Sequence, residues 1–304
     1  MPSLWQLVST AIPGDSSAQT SPFELVRAEM SRPDAPALVL DLGCGDGKSA
    51  AVFRETKPDV AWVGLDIAES ELAREVRGEA VVLYDGQHMP FASGSIPLVY
   101  SQQVFEHVRH PEQVLAEIAR VLTPGGVFIG STSHLEPYHE YSLWNYTPYG
   151  FKVLVEAAGL QLRELRPGID GVALITRTVE GRQPEHRRWW SGESPLNAEI
   201  ERRASEDGAS HAKVNNRKLG VCGQFCFRVY KPHDWRPPRQ RSSSWREIRQ
   251  QSRHVAEDAG RLLAERLRET SRNLGLRDAA RKLPGAQHAM RAVREQRAAQ
   301  VRRG

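Results

Sequence analysis

The stretch Val39–Ala50, VLDLGCGDGKSA, constrains the fold more than any other part of the chain. It closes an apolar run, ALVLDL (37–42), with Asp41, then sets glycines at 43, 45 and 47 before a helix-forming segment. A run that is apolar on both faces suits a central strand buried between two helical layers. Glycines at every second position let the backbone adopt conformations closed to other residues, and they bring it close to whatever lies beyond the strand end. A strand, a glycine-rich turn and a helix in that order open a βαβ unit.

The rest of the chain continues the alternation. Strands are expected at 60–66, 80–85, 96–102, 127–133, 171–179 (GVALITRTV) and 220–230 (GVCGQFCFRVY). Helices are expected at GKSAAVFRET, ESELAREV, 111–122 and 147–160. PEQVLAEIARVL carries Pro at its first turn and apolar residues at 114, 115, 118, 121 and 122. TPGG (123–126) reads as a turn. The expected fold class is therefore α/β: a doubly wound, mostly parallel, seven-stranded sheet with helices on both faces. Ligands of such sheets bind at the carboxyl ends of the strands, where the strand order reverses.

Three nucleotide-like ligands fit a glycine-rich turn. A phosphate loop needs Gly, four residues, then Gly-Lys-Ser; the required first position is Leu42, which excludes it. A dinucleotide fingerprint, G-x-G-x-x-G, finds Gly43 and Gly45 but meets Lys48 in the third place. Acid followed by three alternate glycines, D-L-G-C-G-D-G, resembles motif I of the class I S-adenosylmethionine (SAM)-dependent methyltransferases, whose cofactor has a ribose and an adenine but no phosphate.

The resemblance continues in register through YDGQHMPFASGSIPLVYSQQVFEHVRHPEQVLAEIARVLTPGGVFIGS (84–131). It implies a Rossmann-like class I methyltransferase fold and SAM as cofactor. By that match Asp41, Gly43, Cys44, Gly45 and Gly47 form the loop around the cofactor. Asp66, followed by Ile67, takes the ribose; Asp85, with Gly86 and Gln87, takes the adenine; Ser101 and Gln102 lie near the methionine end. The layout also resembles methyltransferases that accompany bacterial glycan and cell-envelope glycosyltransferases. This implies O-methylation of a saccharide or other small polar acceptor. The alternatives are an RNA or protein methyltransferase and a SAM-binding scaffold without turnover.

Transfer to an alcohol requires alignment and removal of a proton. His107 in FEHV and His139 in SHLEPYHEY are the candidate catalytic residues, with His134 and Glu136 nearby. Some relatives bind a divalent metal through Glu-x-x-Glu-His. Gln103 stands in the first carboxylate's place here, and an amide is the poorer ligand for a hard cation, so no metal is expected. SQQV replaces the Pro-Pro-aromatic run of amino-group methyltransferases, which argues against adenine-N6 or glutamine acceptors. Segment 180–219 is the expected acceptor lid, with Trp189, Trp190, Asn197 and Asn216 to stack on and bond a polar acceptor or to anchor the insert.

No apolar run is long enough to span a bilayer. Three cysteines, Cys44, Cys222 and Cys226, are too few and uneven for a disulfide framework and are expected as packed thiols in a cytoplasmic protein. The net charge of +4 conceals an asymmetry: 233–304 carries 18 Lys and Arg against 8 Asp and Glu. Domain boundaries follow: an N-terminal helical cap (1–30), the catalytic domain (31–232) and a basic helical tail (233–304). The tail suits the inner face of an anionic membrane through 240–304, a nucleic acid, or a solvated arm. The acceptor chemistry favours the membrane over nucleic acid.

Overall fold

Seven strands form one sheet: β1 (Leu38–Leu42), β2 (Ala61–Ile67), β3 (Ala80–Tyr84), β4 (Ile96–Gln102), β5 (Leu122–Ser133), β6 (Gln161–Pro167) and β7 (Gln224–Tyr230). Their order is β3-β2-β1-β4-β5-β7-β6. The first five strands are parallel, and β7 runs antiparallel between β5 and β6. This computed structural model describes residues 2–238; the expected basic tail from 239 onward lies outside the described residues.

The sheet is covered on both faces because its central strands alternate between two cores. Leu40 and Leu42 point into one, Val39 into the other. The helices are α1 (Leu4–Val8), α2 (Pro22–Met30), α3 (Ser49–Thr56), α4 (Glu71–Glu75), α5 (Pro111–Val121), α6 (Pro148–Ala157), α7 (Gly171–Val179), α8 (Arg188–Ser191), α9 (Pro195–Glu206) and α10 (His211–Leu219). The first core takes Val8 of α1, the Val114, Leu115 and Ile118 stripe of α5, and Phe151 and Val155 of α6. Phe151 lies at the centre of an aromatic cluster with Phe105, Phe225 and Phe227. The second core takes Leu25, Val26 and Met30 of α2 and Phe53 of α3, with Tyr100 packed between Phe23 and Phe53.

Three sequence expectations need correction. GVALITRTV is not a strand but helix α7: the Asp170 carboxylate accepts from the backbone N–H of Ala173 and caps it, and Gly171, Ala173 and Leu174 are its buried residues. The sixth strand is QLRELRP, whose charges are neutralised by partners distant in sequence. Arg166 pairs with Asp15 and Glu164, and Glu164 pairs with Arg228 of β7. TPGG does not separate α5 from the fifth strand. Leu122 already pairs with Ile96, and the register shifts before Val127 meets Leu98, so the turn is a bulge within β5.

The N-terminal cap and the insert are one construction. Lys218 of α10 is fully buried, forms ion pairs with Glu193 (3.1 Å) and Glu201 (2.8 Å), and donates to the Ser17 carbonyl (2.7 Å). Asn215 donates to the carbonyls of Pro13 and Ser16. Together with Val8, Ala11 and Ile12 in the main core, these bonds make residues 1–30 part of the domain. The compact unit extends to Pro238 rather than 232; Trp235 closes its end by donating to the Ala158 carbonyl.

Candidate functional site

The carboxyl ends of β1, β2, β3 and β4 lie side by side, and the order reverses between β1 and β4, where a ligand crevice is expected. At the end of β1 Asp41 is buried and accepts from the Ser49 hydroxyl, which in turn accepts from the Trp62 indole N–H (3.0 Å). Burial pushes its carboxyl up to about 7, against the hydrogen bonds that favour ionisation. Ser49 does more than begin α3: it ties the helix to the acid of the loop.

The three loop glycines do different work. All have positive φ. A Cβ on Gly43 would collide with Val104, and one on Gly47 would press on Val76, so both serve close packing within the protein. Gly45 alone has open space where its side chain would stand. Its N–H donates to Asp66 Oδ2 (2.8 Å), while Asp66 Oδ1 accepts from the Ile67 N–H. Cys44, buried, packs against Gly64 of β2, and burial pushes its thiol up to about 12, which makes it inert.

Asp85, exposed beyond the end of β3, accepts from the backbone of Gln87 and His88 (2.8 and 2.7 Å) and faces the His88 ring. Those donors, the His88 backbone first, lower its carboxyl to about 2 and keep it anionic. A Cβ on Gly86 would touch the side chain of the exposed Ile67. At the end of β4 Ser101 is fully buried with no partner for its Oγ, an orphan that needs a bond from something else. Gln102 is exposed and accepts from the Tyr100 hydroxyl. A cleft of about 270 Å³ is lined by Asp41, Gly43, Cys44, Ser49, Tyr100 and Gln102 among others. An open Gly45, an orphaned Ser101 and anionic Asp85 beside Ile67 suit a ligand with a polar amino-acid end, a ribose and a flat base.

The second half of the site begins at Val104, which fills the space before Gly43 and leads into the turn Phe105–His107. Glu106 is fully buried and accepts from Thr132 Oγ1 (3.0 Å) and Ser133 Oγ (3.2 Å). Desolvation, the largest influence on it, pushes its carboxyl up to about 7. His107 and His139, 32 positions apart in sequence, meet edge to face with ring centroids 5.3 Å apart. Burial lowers His107 below the usual imidazole range, which keeps it neutral. Glu136 stands beside His139, with Nδ1 3.8 Å from its Oε1, and takes hydrogen bonds from Ser133 Oγ and Gln224 Nε2. Gln103, at φ 53, is wedged among these groups and bonds Ser131 and Ser133.

Of the sequence candidates, Asp41, Gly43, Cys44 and Gln102 line that cleft, Asp66 is tied to the glycine loop through the Gly45 N–H, and His107 and His139 meet each other. His134 is half-buried, and its backbone N–H donates to the Gly223 carbonyl. The expected acceptor contacts of the insert divide. Asn197 is buried and donates to Gln19 Oε1 and the Gly168 carbonyl, so it anchors. Trp189 is packed on His186. Trp190 is exposed, under the Arg177 guanidinium. Glu136 was named with the histidines in the sequence; Glu106, Ser49 and Gln224 are residues of this region that sequence reading did not assign, and the Glu-His pair at 106–107 was the only signal for the first.

The methyltransferase domain family matches residues 40–130. Malonyl-acyl-carrier-protein O-methyltransferase of Laribacter hongkongensis is 34% identical over 112 residues, covering 32% of this chain and 38% of the relative. Methyltransferase GfsG of Streptomyces halstedii is 34% identical over 149 residues, covering 42% and 54%. The chain therefore spans about two fifths to half the length of these relatives. Among solved structures, the Haloferax volcanii complex of the Trm112 activator with its methyltransferase aligns at 20% identity and TM-score 0.46, covering 69% of this chain and 88% of that one.

Proposed function

We propose that this chain, whose residues 40–130 match the methyltransferase domain family, is a class I SAM-dependent methyltransferase that methylates a hydroxyl of a saccharide or other small polar acceptor. The observation that supports the reading is the edge-to-face meeting of His107 and His139, in a chain whose glycine loop is bonded to Asp66. SAM, when bound, supplies an electrophilic methyl group on a sulfonium. On this reading Asp66 and Asp85 take its ribose and adenine, Ser101 and Gln102 meet its methionine end, and Gly45 lets it approach. With that methyl group in place, the acceptor oxygen would take it from sulfur. Its proton leaves toward the His107–His139 pair, which holds a neutral imidazole for the purpose.

Two measurements test this. Calorimetric titration with SAM should show binding that Asp85→Ala weakens by ~10-fold, the size of one lost charge-assisted bond pair. Unchanged affinity would sink the assignment of the crevice. Labelled methyl transfer to a panel of saccharides should give alkali-stable ether products. Alkali-labile label on a carboxylate acceptor, or label in RNA or protein, would replace the saccharide reading.

A further inference from the structure

Helix α7 carries an apolar stripe that the described residues leave uncovered. Val172, Ile175 and Val179 recur at the spacing of one helix face and are 52%, 51% and 80% exposed. The other face is satisfied: Ala173 and Leu174 pack with Ile169 and Trp189 in a small core of their own. Trp190 turns outward where its neighbour Trp189 turns in, and Arg177 joins it to α7 with its guanidinium 5.0 Å over the ring. Leu135, also exposed, extends the stripe at the start of the helix, since a Cβ on Gly171 would touch its Cβ. Single exposed aliphatics are ordinary on a soluble surface; a stripe of three flanked by an exposed Trp and Leu marks a contact face.

Cations gather around this stripe. Arg177, Arg182, Arg187 and Arg188 lie close together in sequence with only Glu180 and Glu185 among them. Glu180 is engaged by His186. Arg120, Arg166, Arg202 and Arg228 each pair with a carboxylate, whereas none of these four arginines has an ion-pair partner among the described residues. Burial first, then the nearby charge of Arg182, lowers the Arg177 guanidinium, so two of the cations stand close to each other.

We propose that α7 and α8 seat this chain on an anionic phospholipid surface, with the Val172–Ile175–Val179 stripe and Trp190 entering the headgroup boundary and the four arginines meeting lipid phosphates. A helix that lies in a bilayer interface combines an apolar face, a basic rim and an aromatic side chain at headgroup depth, and this segment has all three. The stripe separates this partner from a nucleic acid, whose phosphates would engage the arginines but leave Val179 unburied. The charge separates it from a second copy of the chain, because two-fold pairing of one face would bring like-charged arginines together. Leu135 immediately precedes Glu136, so docking brings the start of the loop that carries Glu136 and His139 toward the lipid.

This inference does not depend on the methyltransferase reading, which SAM titration of the same samples tests separately. Flotation of the full chain is measured with vesicles of phosphatidylcholine and phosphatidylglycerol in equal parts, and with phosphatidylcholine alone. The expected result is binding to the anionic vesicles only, weakened by added salt. Arg182→Gln combined with Arg187→Gln should reduce it by ~25-fold, at about 5-fold per arginine near a charged surface. Ile175→Asp combined with Val179→Asp should reduce it by at least ~10-fold. All four positions are exposed, and circular dichroism checks that the fold is kept. Residues 239–304 are present in every sample, so their contribution is common to all. No vesicle binding by wild type, or equal binding by wild type and either double variant, overturns the proposal. So does RNA binding that the arginine variant loses, or self-association in the ultracentrifuge that the aspartate variant loses, when either occurs without vesicle binding.

Discussion

Replacing Asp41 by Asn should change how stability depends on pH. The Asp41 carboxyl is buried, and its burial raises it from 3.8 to about 7. That difference, at about 1.4 kcal/mol per pH unit, amounts to ~4 kcal/mol. Below pH ~4 the carboxyl is protonated in folded and unfolded chains alike, and it contributes no difference. Between pH ~4 and ~7 the unfolded chain releases the proton while the folded chain retains it, so rising pH favours unfolding. Above ~7 both forms are ionised and the penalty stays constant. Asn keeps an acceptor for the Ser49 hydroxyl but never ionises. The stability of Asp41→Asn relative to wild type should therefore grow by up to ~1.4 kcal/mol per pH unit across that window and level off above it. Glu106, also raised, titrates in both proteins and cancels in the comparison. Urea denaturation followed by circular dichroism at pH 5, 6, 7 and 8 measures this directly. Parallel stability curves, or a variant that loses ground as pH rises, would refute the claim that burial dominates this carboxyl.

Two further substitutions probe the construction around the crevice. Lys218→Met removes the cation shared by Glu193 and Glu201 and should cost ~3 kcal/mol, the low end for a broken buried pair because both acids are about a third exposed; thermal denaturation reads the loss. Gly43→Ala should destabilise by ~1–2 kcal/mol from its positive φ alone, with more from the collision with Val104, and should weaken SAM titration by displacing the β1–β4 crossing; a variant indistinguishable in both assays would show that the loop adjusts freely.

The left half of the sheet was legible because its signals are local. Apolar runs gave β1, β2 and β4, and alternate glycines marked the crevice. The right half depended on distant partners. QLRELRP reads as polar surface until Asp15 and Arg228 are known to neutralise it. GVALITRTV reads as a strand by its β-branched residues. Its exposed Val172, Ile175 and Val179 recur at helical intervals, a pattern the strand reading overlooked. The glycine loop announced a ligand, but sequence could not show that only Gly45 faces open space. Nor could it show that His139 comes to lie against His107, a meeting set by how the loop after β5 folds back to give its backbone to Glu106.

The antiparallel strand β7 has a consequence for biosynthesis. It is the last described strand to be made, yet it occupies the slot between β5 and β6. Until residues 224–230 leave the ribosome, β6 has no neighbour and β5 presents a bare row of amides and carbonyls on one side. A nascent chain halted before that point carries an exposed edge ready to recruit another extended chain. Its sheet can close only when the far end arrives, so a chain ending between β5 and β7 is expected to be an adhesive fragment rather than a smaller stable domain.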